Sequence, residues 1–293
     1  MAKDGTGKSI TLTASILGAV RQAPYLIRDI VACMPEIQIY MDPRKEFHRE
    51  LIIEDLQRID GALLGNVCFE DRIGDFFVDL ASDNYAQNHS GMMQIHVDPL
   101  KFEYRVFLSD RERDTLRETY GVTNERVIVA GSLREQEIDP LVQAVRYANQ
   151  ITPTLGILVP RYPEFLTPQW LSERVVFVIE KGGLQELYAI ADVTFIGDTW
   201  HGTEGGGQNP LEPAFYDIPI ISGPHWSNNM DAFEGLQHAG LLRTVNNQGC
   251  LNEALASTSP LEKSVLERTR AFLDSKQGAA MEAAQEIQRR LYH

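Results

Sequence analysis

A chain of 293 residues, 43% hydrophobic and 23% charged, is long enough for two domains with separate cores and has the balance of a globular protein. Its net charge of −14 argues against a nucleic-acid-binding face, because phosphate contacts are made by clustered Lys and Arg. No apolar run reaches the length that spans a bilayer and the start has no signal-peptide pattern, so the expected location is the cytoplasm.

Residues 2–9, AKDGTGKS, fit a relaxed phosphate-loop spacing. Nothing precedes them to serve as a strand, and Ile10–Thr13 reads as a strand where a helix should follow, so a polar terminus is the better reading. After a break at Gly18, apolar residues at Val20, Ala23, Ile27, Ile30 and Val31 predict a helix over Ala19–Met34, and Ile37–Met41 reads as the next strand. This β-α-β opening favours a parallel sheet covered by helices. Phe47–Leu56 reads as a helix, Gly61–Phe69 and Phe76–Leu80 as strands, Asp83–Gly91 as a polar loop, and Val106–Ser109 as a strand ending in a helix cap. Asp110–Tyr120 is then a charged helix closed by Gly121.

A second alternating run starts at Arg126. Strands are expected at Val127–Ala130, Leu155–Val159, Val175–Val178, Val193–Ile196 and Pro219–Ile221, and helices at Ile138–Asn149, Leu184–Ala191, Leu211–Tyr216 and Asn229–Ala239. Such a sheet is of the open α/β class, and ligands gather outside the carboxyl ends of its strands. Two helices separated near Gly278 close the chain, the last amphipathic through Met281, Ala284, Ile287 and Leu291. The boundary is expected near Val122–Glu125, dividing the chain into 1–124 and 125–293, with the terminal helices in the second unit.

Site chemistry concentrates between Gly197 and Gly223. Gly205, Gly206 and Gly207 permit positive φ and close approach of a ligand to the backbone. Asn209 is a good N-cap and Pro210 suits the first helical turn, where exposed N–H groups attract an anion such as phosphate. Glu212, in that turn, is placed to bond a ribose hydroxyl; a flexible loop before an ordinary capped helix explains the same residues. Cys33, Cys68 and Cys250 are too far apart for zinc or a disulfide framework, and His48, His89 and His96 form no metal-ligand pattern, so no metal is expected.

Five ordered blocks, Val127–Ser132 (VIVAGS), Ile157–Pro163 (ILVPRYP), Leu187–Gly197 (LYAIADVTFIG), Gly206–Ala214 (GGQNPLEPA) and Gly223–Asn228 (GPHWSN), resemble the bacterial Kdo transferases, which move 3-deoxy-D-manno-octulosonic acid from CMP-Kdo to lipid A precursors. The resemblance implies a GT-B architecture, two Rossmann-like domains facing a central cleft, and an inverting glycosyltransferase of lipopolysaccharide biosynthesis. It also implies a nucleotide-sugar donor, CMP-linked, that is a substrate rather than a cofactor. A glycan or glycolipid acceptor follows from it, and peripheral contact with the inner face of the membrane fits it. By motif, Gly206, Gly207, Asn209 and Glu212 would face the CMP moiety, Arg161 would pair with phosphate or the Kdo carboxylate, and Ser132 would complete the phosphate side. Gln208 stands where the family has His. Ala19 stands where the family has a glutamate general base, and a methyl group accepts no proton. That departure keeps a second reading open, a catalytically silent nucleotide- or sugar-binding relative or partner subunit; Asp4 is a poor substitute base.

Overall fold

The computed structural model describes residues 8–14, 17–41, 46–69, 76–81, 93–96, 100–103, 108–170, 174–179, 183–201, 206–257 and 259–292. Residues 2–7 of the phosphate-loop-like start, including Asp4, the Asp83–Gly91 loop with His89, Val106 and Phe107 of the Val106–Ser109 strand, and Gly205 lie outside the described residues. The chain divides into two units, Met1–Tyr104 with Ser275–His293, and Arg105–Asp274.

The first unit holds β1 (Ser9–Ala14), α1 (Leu17–Cys33), β2 (Gln38–Met41), α2 (Glu46–Asp60), β3 (Val67–Cys68), β4 (Phe76–Ala81) and β5 (Met93–His96). Its sheet runs β3-β2-β1-β4-β5, all parallel. Ala23, Leu26, Ile27 and Ile30 of α1 follow helical spacing and bury against Ile10, Leu12, Ile39 and Val78. Gly18 does not interrupt the pattern, since α1 begins at Leu17. The predicted strand Gly61–Phe69 shrinks to Val67–Cys68: the Asp60 side chain accepts the Ala62 N–H and starts a 3-10 turn over Gly61–Asn66.

The last helix corrects the expected domain plan. The helix at Ala279–Tyr292 has the predicted amphipathic face, but Ala280, Ala284, Ile287 and Leu291 bury in the core of the first unit. Gln288 Nε2 donates to the Cys33 carbonyl at 2.8 Å, fastening this helix to the end of α1. The other boundary falls at Tyr104/Arg105 rather than near Val122–Glu125, because the charged helix α3 (Asp110–Thr119) belongs to the second unit. Its N-terminus is as expected: Ser109 and Glu112 cap one another's backbone N–H groups.

The second unit continues with β6 (Arg126–Leu133), α4 (Glu135–Ile151), β7 (Thr154–Pro160), β8 (Val175–Phe177), α5 (Leu184–Tyr188), β9 (Val193–Ile196), α6 (Leu211–Ala214) and β10 (Ile220–Ser222). It closes with α7 (Met230–Ala239), β11 (Leu242–Thr244), α8 (Gln248–Ala256) and α9 (Lys263–Ser275). All strands are parallel in the order β11-β10-β9-β6-β7-β8. Ile128, Ala130, Leu158, Phe195 and Ile221 of the sheet pack with Leu141 and Val145 of α4 and Leu251 and Leu255 of α8. The chain goes from β6 outward through β7 to β8, then returns to β9 on the other side of β6. In such sheets that reversal opens a crevice beyond the strand ends, here between β6 and β9.

Candidate functional site

Two glycines let the ends of β6 and β9 come together. A Cβ on Gly197 would meet the carbonyl oxygens of Ser132 and Gly131 at 2.5 and 2.6 Å, and one on Gly131 would overlap the Tyr188 hydroxyl. With no side chain between them, Gly197 N–H donates to the Gly131 carbonyl at 2.9 Å. The register of β6 against β7 shifts between Gly131 and Leu133, and Ser132 in that kink has a φ of 57°, a conformation that non-glycine residues seldom hold. Asp198, just past β9, has a φ of 61°. Two uncommon backbone conformations on adjacent strand ends are the kind of local strain that clusters at working sites.

The glycine-rich loop lies over this junction. Gly207 N–H donates to the Asp198 carbonyl at 2.7 Å and Gln208 N–H to the Gly197 carbonyl at 3.3 Å. From the other side Asn229 Nδ2 donates to the Gly207 carbonyl at 3.0 Å. Gly207 has a φ of 92°, and a Cβ there would stand 2.8 Å from the Trp226 Cβ. Gly206 is equally hemmed in, by the His225 carbonyl at 2.9 Å. Both glycines are therefore required by backbone packing against residues 225–226, a reason the sequence did not reveal. The N-cap is Pro210 rather than Asn209, one residue later than expected, and Asn209 supports the helix start from just before it, its Oδ1 accepting the Leu211 N–H at 3.1 Å. That helix spans only Leu211–Ala214, shorter than the predicted Leu211–Tyr216, so the anion attraction expected from its dipole is small. Glu212, in that turn, adds its negative charge to burial in pushing the Tyr188 phenol well up.

A chain of side chains joins these elements. Arg161, exposed beyond β7, donates through Nη1 to Gln208 Oε1 at 3.0 Å. Gln208 Nε2 donates to Asp198 Oδ2 at 3.4 Å, and Arg134 Nη2 pairs with that same oxygen at 2.8 Å. The Arg134 guanidinium lies 5.3 Å above the Tyr162 ring. Hydrogen bonding to Arg161, then to Arg134, holds the Tyr162 phenol below its usual range. Ser132, Arg161, Gly206, Gly207, Gln208, Asn209 and Glu212 thus all lie in the second unit, at or beyond the carboxyl ends of β6, β7 and β9. Ala19 lies in the first turn of α1, in the other unit.

Arg134, Glu137, Asp198 and Asn229 were not read from the sequence. Glu137 is 2% exposed in the first turn of α4, and its two oxygens accept the N–H groups of Arg134, Asp198, Thr199 and Trp200 at 2.8 to 3.0 Å. Burial pushes its carboxyl up and the four N–H groups oppose that shift. A signal existed: Glu137 is the N3 residue of α4 and takes the N–H of the N-cap Arg134, the carboxylate half of a capping box. Arg in place of Ser or Thr at the cap hid it. Among the described residues no group of three or more His, Cys, Asp or Glu is placed to hold a metal, and no helix is long and apolar enough to cross a membrane.

No protein-family model matches the chain. Over 154 residues it is 30% identical to the 3-deoxy-D-manno-octulosonic acid transferase of Aquifex aeolicus, covering 47% of this chain and 43% of that one. Over 185 residues it is 25% identical to the same transferase of Chlamydia muridarum, covering 56% and 42%. The chain therefore spans less than half the length of these relatives. Among solved structures, the glycotransferase of kitacinnamycin matches with a TM-score of 0.54 at 15% identity, covering 98% of this chain and all of that one. WaaG, a glycosyltransferase involved in lipopolysaccharide biosynthesis, matches at 0.52 and 13%, covering 95% and 99%. The chain is similar to the Kdo transferases over about half its length, and its fold is that of the GT-B glycosyltransferases. At the centre of the site stands Gln208, whose amide offers both a donor and an acceptor and uses both, toward Asp198 and Arg161.

Proposed function

We propose that the protein is a glycosyltransferase that binds a nucleotide-activated sugar at the carboxyl ends of β6, β7 and β9. The observation that carries the reading is the gathering of Ser132, Arg161 and the Gly206–Glu212 segment at the topological switch point of a doubly wound sheet. It is supported by the Kdo transferases that the chain resembles, and by the fold it shares with HepE from Anabaena, solved in complex with UDP, at a TM-score of 0.54. The donor we assign is CMP-Kdo and the acceptor a glycan or glycolipid.

In this reading Arg161 meets the donor's phosphate or carboxylate with its planar fork, and Glu212 takes a ribose hydroxyl. Transfer proceeds by direct displacement. The acceptor oxygen attacks the anomeric carbon as the bond to the phosphate breaks, with inversion, and the cation stabilises the charge on the departing nucleotide. The acceptor's proton needs a base other than residue 19. A protein cation in place of a metal is enough for the leaving group, so the reading includes no metal cofactor.

Calorimetric titration with CMP, followed by a CMP-Kdo turnover assay on lipid A precursor, tests this. Saturable CMP binding with transfer is the expected result. Absence of nucleotide binding overturns the reading, and binding without transfer overturns its catalytic part.

A further inference from the structure

The four side chains Arg134, Asp198, Gln208 and Arg161 have a polarity that the donor reading alone does not require. We infer that Asp198 is a positioning residue, fixing through the Gln208 amide where the Arg161 guanidinium stands. The inference rests on the reading that Arg161 meets the donor's anion.

The argument turns on which way the amide faces. Gln208 presents Oε1 to Arg161 at 3.0 Å and Nε2 to Asp198 Oδ2 at 3.4 Å. Turned over, the amide would set its NH2 against a guanidinium and its oxygen against a carboxylate, and both contacts would repel. A neutral or absent side chain at residue 198 would leave the two orientations less distinct. The Asp198 carboxylate therefore determines that an acceptor, and not a donor, faces Arg161.

Asp198 is itself held on every side. It is 1% exposed, its N–H is given to Glu137 at 2.8 Å, and its carbonyl accepts the Gly207 N–H at 2.7 Å. A carboxylate in an anion site would ordinarily oppose the ligand. Here Arg134 pairs with it at 2.8 Å, so the negative charge is compensated inside the protein while the Arg161 charge stays exposed at the far end of the amide. The effect on binding is preorganisation: a long, rotamer-rich side chain that is already aimed loses less freedom when the ligand arrives.

The test is a thermodynamic cycle on CMP affinity in the full chain. Asp198→Asn is the main variant, because Asn tolerates the positive φ at this position where Ala would strain it. Asp198→Asn is expected to weaken CMP binding about ten-fold, and Gln208→Ala by a similar factor. In the Gln208→Ala background the Asp198→Asn effect should fall to about two-fold or less, since the amide that transmits it is gone. An undiminished ten-fold effect in that background overturns the inference. The positioning also has a ligand-free readout: in 15N NMR spectra, Asp198→Asn should shift the Gln208 side-chain amide and speed exchange at the Arg161 guanidinium. If the wild-type chain does not bind CMP, the donor reading fails, and unchanged Gln208 and Arg161 signals would refute the positioning separately.

Discussion

The Glu137 carboxylate accepts the Asp198 backbone N–H at 2.8 Å, so the first turn of α4 clamps the turn that follows β9. The same carboxylate holds Thr199 and Trp200, each at 3.0 Å, which makes one buried side chain the anchor of the whole 198–200 turn. Removing it leaves N–H donors without partners in a water-poor place. Glu137→Ala should therefore destabilise the protein by about 3 kcal/mol. Glu137→Gln keeps an acceptor but turns an NH2 toward the donors and recovers only part of the loss. Urea unfolding measures both; a change below about 0.5 kcal/mol for Glu137→Ala would class the residue with ordinary surface positions.

Gly131 and Gly197 differ in what surrounds them, and this predicts different responses to Ala. At Gly197 the added methyl meets backbone carbonyls, which cannot move aside without parting β6 from β9. At Gly131 it meets the Tyr188 hydroxyl and the Leu184 methyls, which are side-chain atoms. Gly197→Ala should cost about 3 kcal/mol, at the upper end for an overpacked site, and Gly131→Ala roughly half that. Tyr188→Phe should relieve Gly131→Ala and leave Gly197→Ala unrelieved. Equal costs, with no rescue by Phe, would show that these neighbours do not decide the outcome.

The sequence made the parallel sheet of the second unit legible because its strands are short buried apolar runs between helical periods. It also located Ser132, Arg161 and the Gly206–Glu212 segment, since a strand's carboxyl end is visible as the place where apolar residues stop. Leu242–Thr244 and Met93–His96 escaped because three or four residues carry no period. The destination of the last helix was hidden for another reason. An amphipathic face at Ala280, Ala284, Ile287 and Leu291 announces that it needs a partner but does not name which core receives it. Asp198 was invisible because its role depends on a positive φ and on Glu137, 61 residues earlier in the chain.

The placement of that last helix can be measured. Ile287 is fully buried in the core that holds Ile27 and Ile30, so Ile287→Ala should cost about 3 kcal/mol. Because the partner is α1, amide hydrogen exchange should accelerate in Leu17–Cys33 and Gln38–Met41 and remain as in wild type in Arg126–Leu133 and Thr154–Pro160. Loss of protection in the second sheet instead would assign the helix to the other unit.

Glu125 supplies a pH dependence. Its carboxylate accepts the Thr123 N–H at 2.8 Å, the Thr123 hydroxyl at 2.9 Å and the Asn124 N–H at 3.1 Å. These bonds, led by the Thr123 N–H, push its pKa down to about 2 from an ordinary 4.5. With the folded value below the unfolded one, the carboxylate's contribution is fully present above pH 4.5 and is lost as pH falls through about 2. Glu125→Gln should therefore narrow its stability gap to wild type across that window. Carboxyl 13C NMR should give a midpoint near 2; an ordinary carboxylate midpoint would mean that the turn at Thr123–Glu125 does not hold the ion.

Donor affinity distinguishes the two ends of the site. Arg161 engages Gln208 through one guanidinium nitrogen and also bonds the Tyr162 phenol, whereas a lysine would offer a point charge with no second prong. Arg161→Lys should weaken CMP binding several-fold and flatten its dependence on salt only slightly, because the charge is kept and the geometry is lost. Arg161→Ala should lose both. Glu212 sits half-buried in the short helix after Asn209 and Pro210, near enough to the Tyr188 phenol to add to the raising of its pKa by burial. If it accepts a ribose hydroxyl, Glu212→Ala weakens CMP about ten-fold, and Glu212→Gln, which retains an acceptor, less. The 2′,3′-dideoxy nucleotide separates this from a structural effect: against that ligand the Glu212→Ala penalty should vanish. A penalty that persists with the hydroxyls removed would show that Glu212 supports the turn and does not touch the nucleotide.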